Sequence, residues 1–204
     1  NGDGLSDLLL RSKNGDSLFV MGSTNNGKFS QLKVDQVGTT GNDTFISTGT
    51  QQIVTGLGDD TVTANGADVI LMGAGNDRAI INSSTITALF SGLGSGGNNG
   101  QLARLDGGAG FDVLEVRGTT QLDFTRIINK GLDLDGIRER VDGFEKIDLA
   151  SDTGANSLRL NLADVLDIAD SNIANTSNAW SNISGASSSS LVAKHHLVIA
   201  GANC

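Results

Sequence analysis

Along this chain, short apolar runs alternate with polar turns, and most of the runs follow a glycine-rich turn. Three or four β-branched and aliphatic residues bounded by Gly, Asn and Asp read as strands. Such strands are predicted directly after Asp43, Asp60, Asp77 and Asp112, and between those points at residues 52–54, 69–71 and 86–89. Others are expected at 8–10 and 18–21, joined by the hairpin-type turn Lys13-Asn14-Gly15-Asp16, and at 29–34. After residue 116 the pattern changes. Strands are expected at 146–149 and 157–162, then a short helix with Asn161 as N-cap. That helix should carry Leu162, Val165 and Leu166 on one face, with Asp164 and Asp167 solvated. The Ser- and Asn-rich stretch 171–190 reads as loop. A last strand at 191–200 places His195 and His196 on opposite faces, as ordinary strand residues.

The turns themselves repeat. Gly38-Thr39-Thr40-Gly41-Asn42-Asp43, Thr55-Gly56-Leu57-Gly58-Asp59-Asp60 and Met72-Gly73-Ala74-Gly75-Asn76-Asp77 carry their final aspartates 17 residues apart. A further copy, Gly107-Gly108-Ala109-Gly110-Phe111-Asp112, places its aspartate 35 residues beyond Asp77. Turn preferences explain Asn and Asp at such places but demand no constant spacing. Glycine lets a tight turn aim carbonyl oxygens at one point, and an aspartate just past it adds a negative oxygen. Calcium takes about six to eight oxygens, many of them backbone carbonyls. Carboxylates stacked at about 5 Å strand spacing would otherwise repel.

A 17-residue period fits a pair of strands and two turns, so Asp43, Asp60 and Asp77 should line one edge. The opposite edge would carry residues 49–51, Asn65-Gly66-Ala67-Asp68 and residues 82–84. Only its middle turn holds a carboxylate, so the expected cation array is one-sided, with Asp68 as a further candidate. Ions are expected between the turns of Asp43 and Asp60, and of Asp60 and Asp77. Asp112 is expected to hold its own ion with help from Asp106. The candidate metal residues are therefore Gly41, Asn42, Asp43, Gly56, Gly58, Asp59, Asp60, Asp68, Gly73, Gly75, Asn76, Asp77, Gly107, Gly108, Gly110 and Asp112.

The shared template, G-G-x-G-x-D-x-U-x with U a large apolar residue, resembles the RTX nonapeptide repeat of secreted bacterial proteins over residues 38–118. The resemblance implies an all-β fold: a right-handed parallel β-roll or β-helix of short coils holding about three to five calcium ions. It also implies type I secretion to the extracellular space or the bacterial surface, with folding on calcium binding after export. Gly143-Phe144-Glu145, Ile147-Asp148-Leu149 and Asp164-Val165-Leu166-Asp167-Ile168 resemble segments found beside such repeats in large surface adhesins. Adhesion to a host-cell or other surface ligand would then run through other domains. Asn1-Gly2-Asp3-Gly4-Leu5-Ser6-Asp7 resembles the calcium loop of FG-GAP and dockerin-like repeats, which makes Asp3 and Asp7 candidates too. A plain hairpin cap is the alternative there. The expected division is an N-terminal cap at 1–37, the repeats at 38–118 and a β-rich flank carrying one short helix at 119–204.

Composition narrows the field. A net charge of −9 makes nucleic acid and anionic membrane poor partners. With 28 glycines and 4% aromatics the chain suits closely stacked backbone. Cys204 is the only cysteine, so no disulfide forms within the chain. No apolar run approaches the ~18 residues that a membrane-spanning helix needs. The chain has no initiator Met and reads as a fragment. No nucleophile elbow, phosphate loop or zinc-type cluster is present, so no enzyme is expected. Two rivals stand beside the calcium-stabilised adhesin module. One is the C-terminal calcium-binding part of a secreted RTX enzyme or toxin; the other is a lectin-like module.

Overall fold

The computed structural model describes residues 8–11, 18–23, 29–32, 34–91, 103–127, 139–169, 171–172 and 194–201. Leu8–Arg11, Leu18–Ser23 and Phe29–Leu32 form a three-stranded antiparallel sheet, with strands where the apolar runs predict them. The turn at Lys13 to Asp16, and with it Asp3 and Asp7, lies outside the described residues.

From Gln36 to Val116 the strands are parallel, and successive ones alternate between two sheets. Five strands make the first: Gln36–Val37, Gln52–Leu57, Val69–Ala74, Arg104–Asp106 and Val141–Asp142. Six make the second: Thr44–Ile46, Thr61–Thr63, Arg78–Ile81, Val113–Val116, Lys146–Asp148 and Val198–Ala200. A parallel pair joins Gln121–Asp123 to Ser157–Arg159. Ile53, Ile70, Leu105 and Val141 from the first sheet share one fully buried cluster with Val62, Ala79, Leu114 and Ile147 from the second. The core therefore lies between the sheets. Each of the valine, leucine and isoleucine side chains among them contributes about 1.5–3 kcal/mol when fully buried. In the second sheet Thr44, Thr61, Arg78, Val113 and Lys146 fall in one row. Register alone thus brings the acids just before them, Asp43, Asp60, Asp77, Asp112 and Glu145, to one edge.

The expectation of an all-β roll or β-helix is corrected. The parallel strands lie in separate sheets of five, six and two strands, none closed or coiled, and helices accompany them in an α/β-like arrangement. Residues 86–89, expected as a strand, end helix α1, Ser83–Leu89. The reason is local. The Asn82 side chain accepts from the backbone N–H of Ser84 and of Thr85, at 2.9 and 3.2 Å, and this cap starts a helix. Ile86 and Leu89 then fall on one helical face and are buried. At the C-terminal end of the helix, the buried Arg140 guanidinium donates to the carbonyls of Ala88 and Ser91, both at 3.1 Å, and also to that of Ala103. Burial holds its pKa below the usual arginine value.

The second helix, α2, spans Leu162–Ile168 and begins at Asn161 as expected, with a capping box closed by Asp164. Its buried face differs from the expected one. Leu162 and Leu166 are exposed, while Ile168 and Asp164 are buried. Asp164 is buried and its carboxylate accepts from the Asn161 N–H at 2.6 Å, so it is no solvated acid. The expected strand at 157–162 is cut to Ser157–Arg159 by that cap. The C-terminal strand is split: Lys194–His195 pairs antiparallel with Ser171–Asn172, and Val198–Ala200 pairs parallel with Lys146–Asp148. The His195 ring Nδ1 lies 2.6 Å from the Ala169 carbonyl oxygen. Among the described residues no helix is long and apolar enough to cross a membrane.

The turns between strands are packed backbone on backbone. At Gly75, with φ +146°, a Cβ would lie 2.0 Å from the Gly58 carbonyl oxygen. Gly75→Ala therefore combines backbone strain with overlap against main chain, and is expected to cost about 1–3 kcal/mol in chemical denaturation. Gly66→Ala, where nothing lies within 4 Å of the added methyl, serves as the control for positive φ alone.

Candidate metal centre

The five edge acids form a ladder. The backbone N–H of Asp43 donates to Asp60 Oδ1, that of Asp60 to Asp77 Oδ1, and that of Asp77 to Asp112 Oδ1, each at 2.7 Å. The N–H of Asp112 donates to Glu145 Oε2, also at 2.7 Å. Each carboxylate thus caps the turn of the repeat before it with one oxygen. The second oxygen of Asp60, Asp77 and Asp112 is buried without a hydrogen-bond partner. Asp43, at the start of the ladder, differs: its Oδ2 accepts from the Thr39 N–H at 2.6 Å and the Thr39 hydroxyl at 2.9 Å.

A second ladder runs outside the first in the opposite sense. The side-chain oxygen of Asn42 accepts from the Asp59 N–H at 2.9 Å, that of Asp59 from the Asn76 N–H at 2.7 Å, and that of Asn76 from the Phe111 N–H at 3.1 Å. It ends at Phe111, whose ring offers no acceptor. Gly56, Gly58, Gly73 and Gly75 bring their carbonyl oxygens against the following turn. A Cβ at Gly73 would sit 2.2 Å from the Gly56 oxygen, and one at Gly110 1.6 Å from the Gly75 oxygen. Gly41, Gly107 and Gly108 complete the same stack of turns. The predicted residues of the repeats are therefore assembled on one edge.

Asp68 stands apart on the opposite edge. Its Oδ1 accepts from the Ser47 hydroxyl and the Gln51 N–H, both at 2.8 Å, and its Oδ2 from the Asn65 N–H at 2.7 Å. Neutral donors engage both oxygens, and the residue pins its turn. Asp106 pairs with Arg104 at 2.7 Å.

Glu145 is the ladder acid that the repeat template misses. Asp106 and Asp142 are aligned across the first sheet, and Val113 and Lys146 across the second. The turn Gly107 to Phe111 is therefore answered by Gly143 and Phe144 alone. A glutamate, one methylene longer than an aspartate, still reaches the rung. The signal that could have found it is the pair Phe144-Glu145 before a strand, matching Phe111-Asp112.

Buried acids elsewhere are treated differently. Glu115, fully buried, is paired with both Arg78 and Arg117. At Asp148 burial acts upward, but Lys146, 2.8 Å away, and the Ala150 N–H hold the carboxyl below its usual range. Among the described residues no ion pair reaches Asp60, Asp77 or Asp112. Burial, partly offset by the Asp60 N–H and reinforced by the charges of Asp60 and Asp59, pushes Asp77 up to about 6. Burial, with the charges of Glu145, Asp77 and Asp106, pushes Asp112 up to about 8 despite the Asp77 N–H. Uncompensated buried charge is costly, and groups perturbed in this way mark candidate functional sites.

Among the described residues no three His, Cys, Asp or Glu side chains converge to hold a metal ion. The inner carboxylates are strung out one per turn. A hard cation between turns would therefore draw most of its oxygens from turn carbonyls, which calcium accepts. The unpartnered inner oxygens fit such an ion. No family model matches the chain, and neither does any curated protein or solved structure.

The ladder sets a pH dependence for the metal-free chain. Asp77 and Asp112 have folded pKa values above the unfolded 3.8, so the folded state holds their protons more tightly. Their contribution to stability is complete below about 3.8 and is lost as pH rises to about 6 for Asp77 and about 8 for Asp112. The melting temperature in chelator should fall between pH 4 and 8, and Asp112→Asn should flatten the upper part of that fall. A melting temperature that rises over this range would contradict the assignment.

Proposed function

We propose that this chain is a calcium-binding structural module of the RTX type, in which ions at the stacked turns supply part of the folding energy. The observation that carries the reading is the row of buried, unpartnered oxygens on Asp60, Asp77 and Asp112, carboxylates that succeed one another along one edge of the stacked turns. Asp60, Asp77 and Asp112 would hold ions together with the carbonyl groups of the glycine turns. Glu145 would close the row at one end, and Asp43, already satisfied by Thr39, would be a weaker ligand at the other. Asp59, Asn42 and Asn76 would act by holding the turns in register. An ion that binds only the folded state stabilises it by mass action, and here it would also remove the repulsion between rungs.

The repeat resemblance extends the proposal to an extracellular protein in a calcium-rich setting. The segment from Gly143 to Ile168 extends it further, to the surface adhesins beside whose repeats such segments occur. In both settings the module itself would be a calcium-loaded scaffold, and the surface ligand would be met elsewhere.

Far-ultraviolet circular dichroism after chelation, titrated with calcium and with magnesium as control, tests the reading. A calcium-specific gain of ordered structure is expected. Asp60→Asn and Asp77→Asn keep the acceptor for the neighbouring N–H but lose the charge. Each should weaken the calcium response by tenfold or more while leaving the metal-free chain as stable or more so. A chain fully folded in chelator and indifferent to calcium would end the proposal.

A further inference from the structure

On the edge opposite the ladder, Asn65 and Gly66 sit in an exposed turn, and one side chain bonds both the Gly66 N–H and the side-chain oxygen of Asn65. The Gly66 N–H donates to Ser84 Oγ at 3.0 Å, and the Ser84 hydroxyl donates to Asn65 Oδ1 at 2.8 Å. We propose that Asn65 is a site of spontaneous isoaspartate formation in the folded protein, with Ser84 relaying the proton.

In the proposed step, the Gly66 nitrogen attacks Asn65 Cγ. Its proton passes to Ser84 Oγ as the Ser84 proton passes to Oδ1. This attack closes the five-membered ring; the Oδ1 proton then moves to Nδ2, the carbonyl re-forms as the Cγ–Nδ2 bond breaks, and ammonia leaves a succinimide. Water opens the ring at either carbonyl, giving aspartate or isoaspartate. The net change is amide plus water to carboxylate plus ammonia. Glycine leaves its own nitrogen unhindered, and nothing lies within 4 Å of where a Cβ on Gly66 would stand. A hydroxyl held against donor and acceptor together is the arrangement that general acid–base transfer needs. The competing acceptor for that hydroxyl is Asn82 Oδ1, at 2.6 Å, which already takes the N–H of Ser84 and of Thr85.

The product would act on Asp68. The Asn65 N–H donates to Asp68 Oδ2, while Asp68 Oδ1 holds Ser47 and Gln51. Isoaspartate lengthens the backbone by a methylene and puts a new negative charge beside that carboxylate. The opposite-edge turn would loosen while the ladder edge keeps its contacts, so the inference is independent of the calcium reading. Four other Asn-Gly pairs, at Asn1, Asn14, Asn26 and Asn99, lie outside the described residues and serve as internal comparisons.

The test is incubation of the whole chain near neutral pH with calcium, followed by peptide mass mapping and enzymatic methyl-labelling of isoaspartate. Asn65 should convert faster in the folded chain than in urea. Ser84→Ala should slow conversion several-fold, Ser84→Thr should restore it, and Asn65→Gln gives the baseline because its longer side chain cannot close the same ring. If Ser84 only restrained the turn, Ser84→Ala would accelerate the reaction, and that result overturns the proposal. So does a folded chain that converts at Asn65 more slowly than the denatured one, a comparison that needs no variant.

Discussion

The bond from the N–H of one turn aspartate to the carboxylate of the next recurs from Asp43 to Glu145, and much of the molecule is arranged around it. A turn that leaves one strand and enters another has backbone donors with no ladder partner. Here one such donor is met, rung after rung, by a carboxylate from the following repeat. That exchange fixes the vertical spacing of the turns. It also commits the chain to burying a row of like charges.

Glycine follows from that spacing. Successive turns approach until carbonyl oxygens of one lie where the Cβ atoms of the next would be, as at Gly73 and Gly110. The same closeness keeps the core thin. Alanines at 64, 79 and 103 and aliphatics of middling size fill it, with Phe124 and Phe144 among its largest side chains. Where the stack is interrupted after Ile81, the molecule changes means. Asn82 turns the chain into a helix, and a buried arginine two rungs on, Arg140, donates to carbonyls at the end of that helix.

The contrast between acids separates scaffold from site. Glu115 and Asp148 are buried with cationic partners, and Asp68 with neutral donors on both oxygens. Asp60, Asp77 and Asp112 each have one oxygen satisfied and one left bare in a region of low exposure. A protein of this size can carry one such group as strain. Several stacked on one edge would be relieved together by a positive charge, since neutralising them removes desolvation and repulsion at once.

By itself the sequence determined the periodic part. The constant interval between Asp43, Asp60 and Asp77 and the glycines before them placed the turns, the strands after them and the edge on which the acids gather, because side-chain alternation and turn geometry act within a few residues. The Asn161 cap was legible for the same reason. The architecture was decided by tertiary structure. Whether parallel strands form open sheets with helices or an all-β coil depends on pairing between distant segments, which local period does not encode. The reading of residues 86–89 as a strand failed because Ile86 and Leu89 suit either period, and the Asn82 cap together with burial against the core chose the helix. Leu162 and Leu166 look like a core face, yet the helix is docked by its far end, where the Ile168 carbonyl accepts from the Phe144 N–H, and Ile168 is buried instead. Glu145 joined the ladder only through register across both sheets, and the partners that quiet Asp68 come from turns brought together by folding.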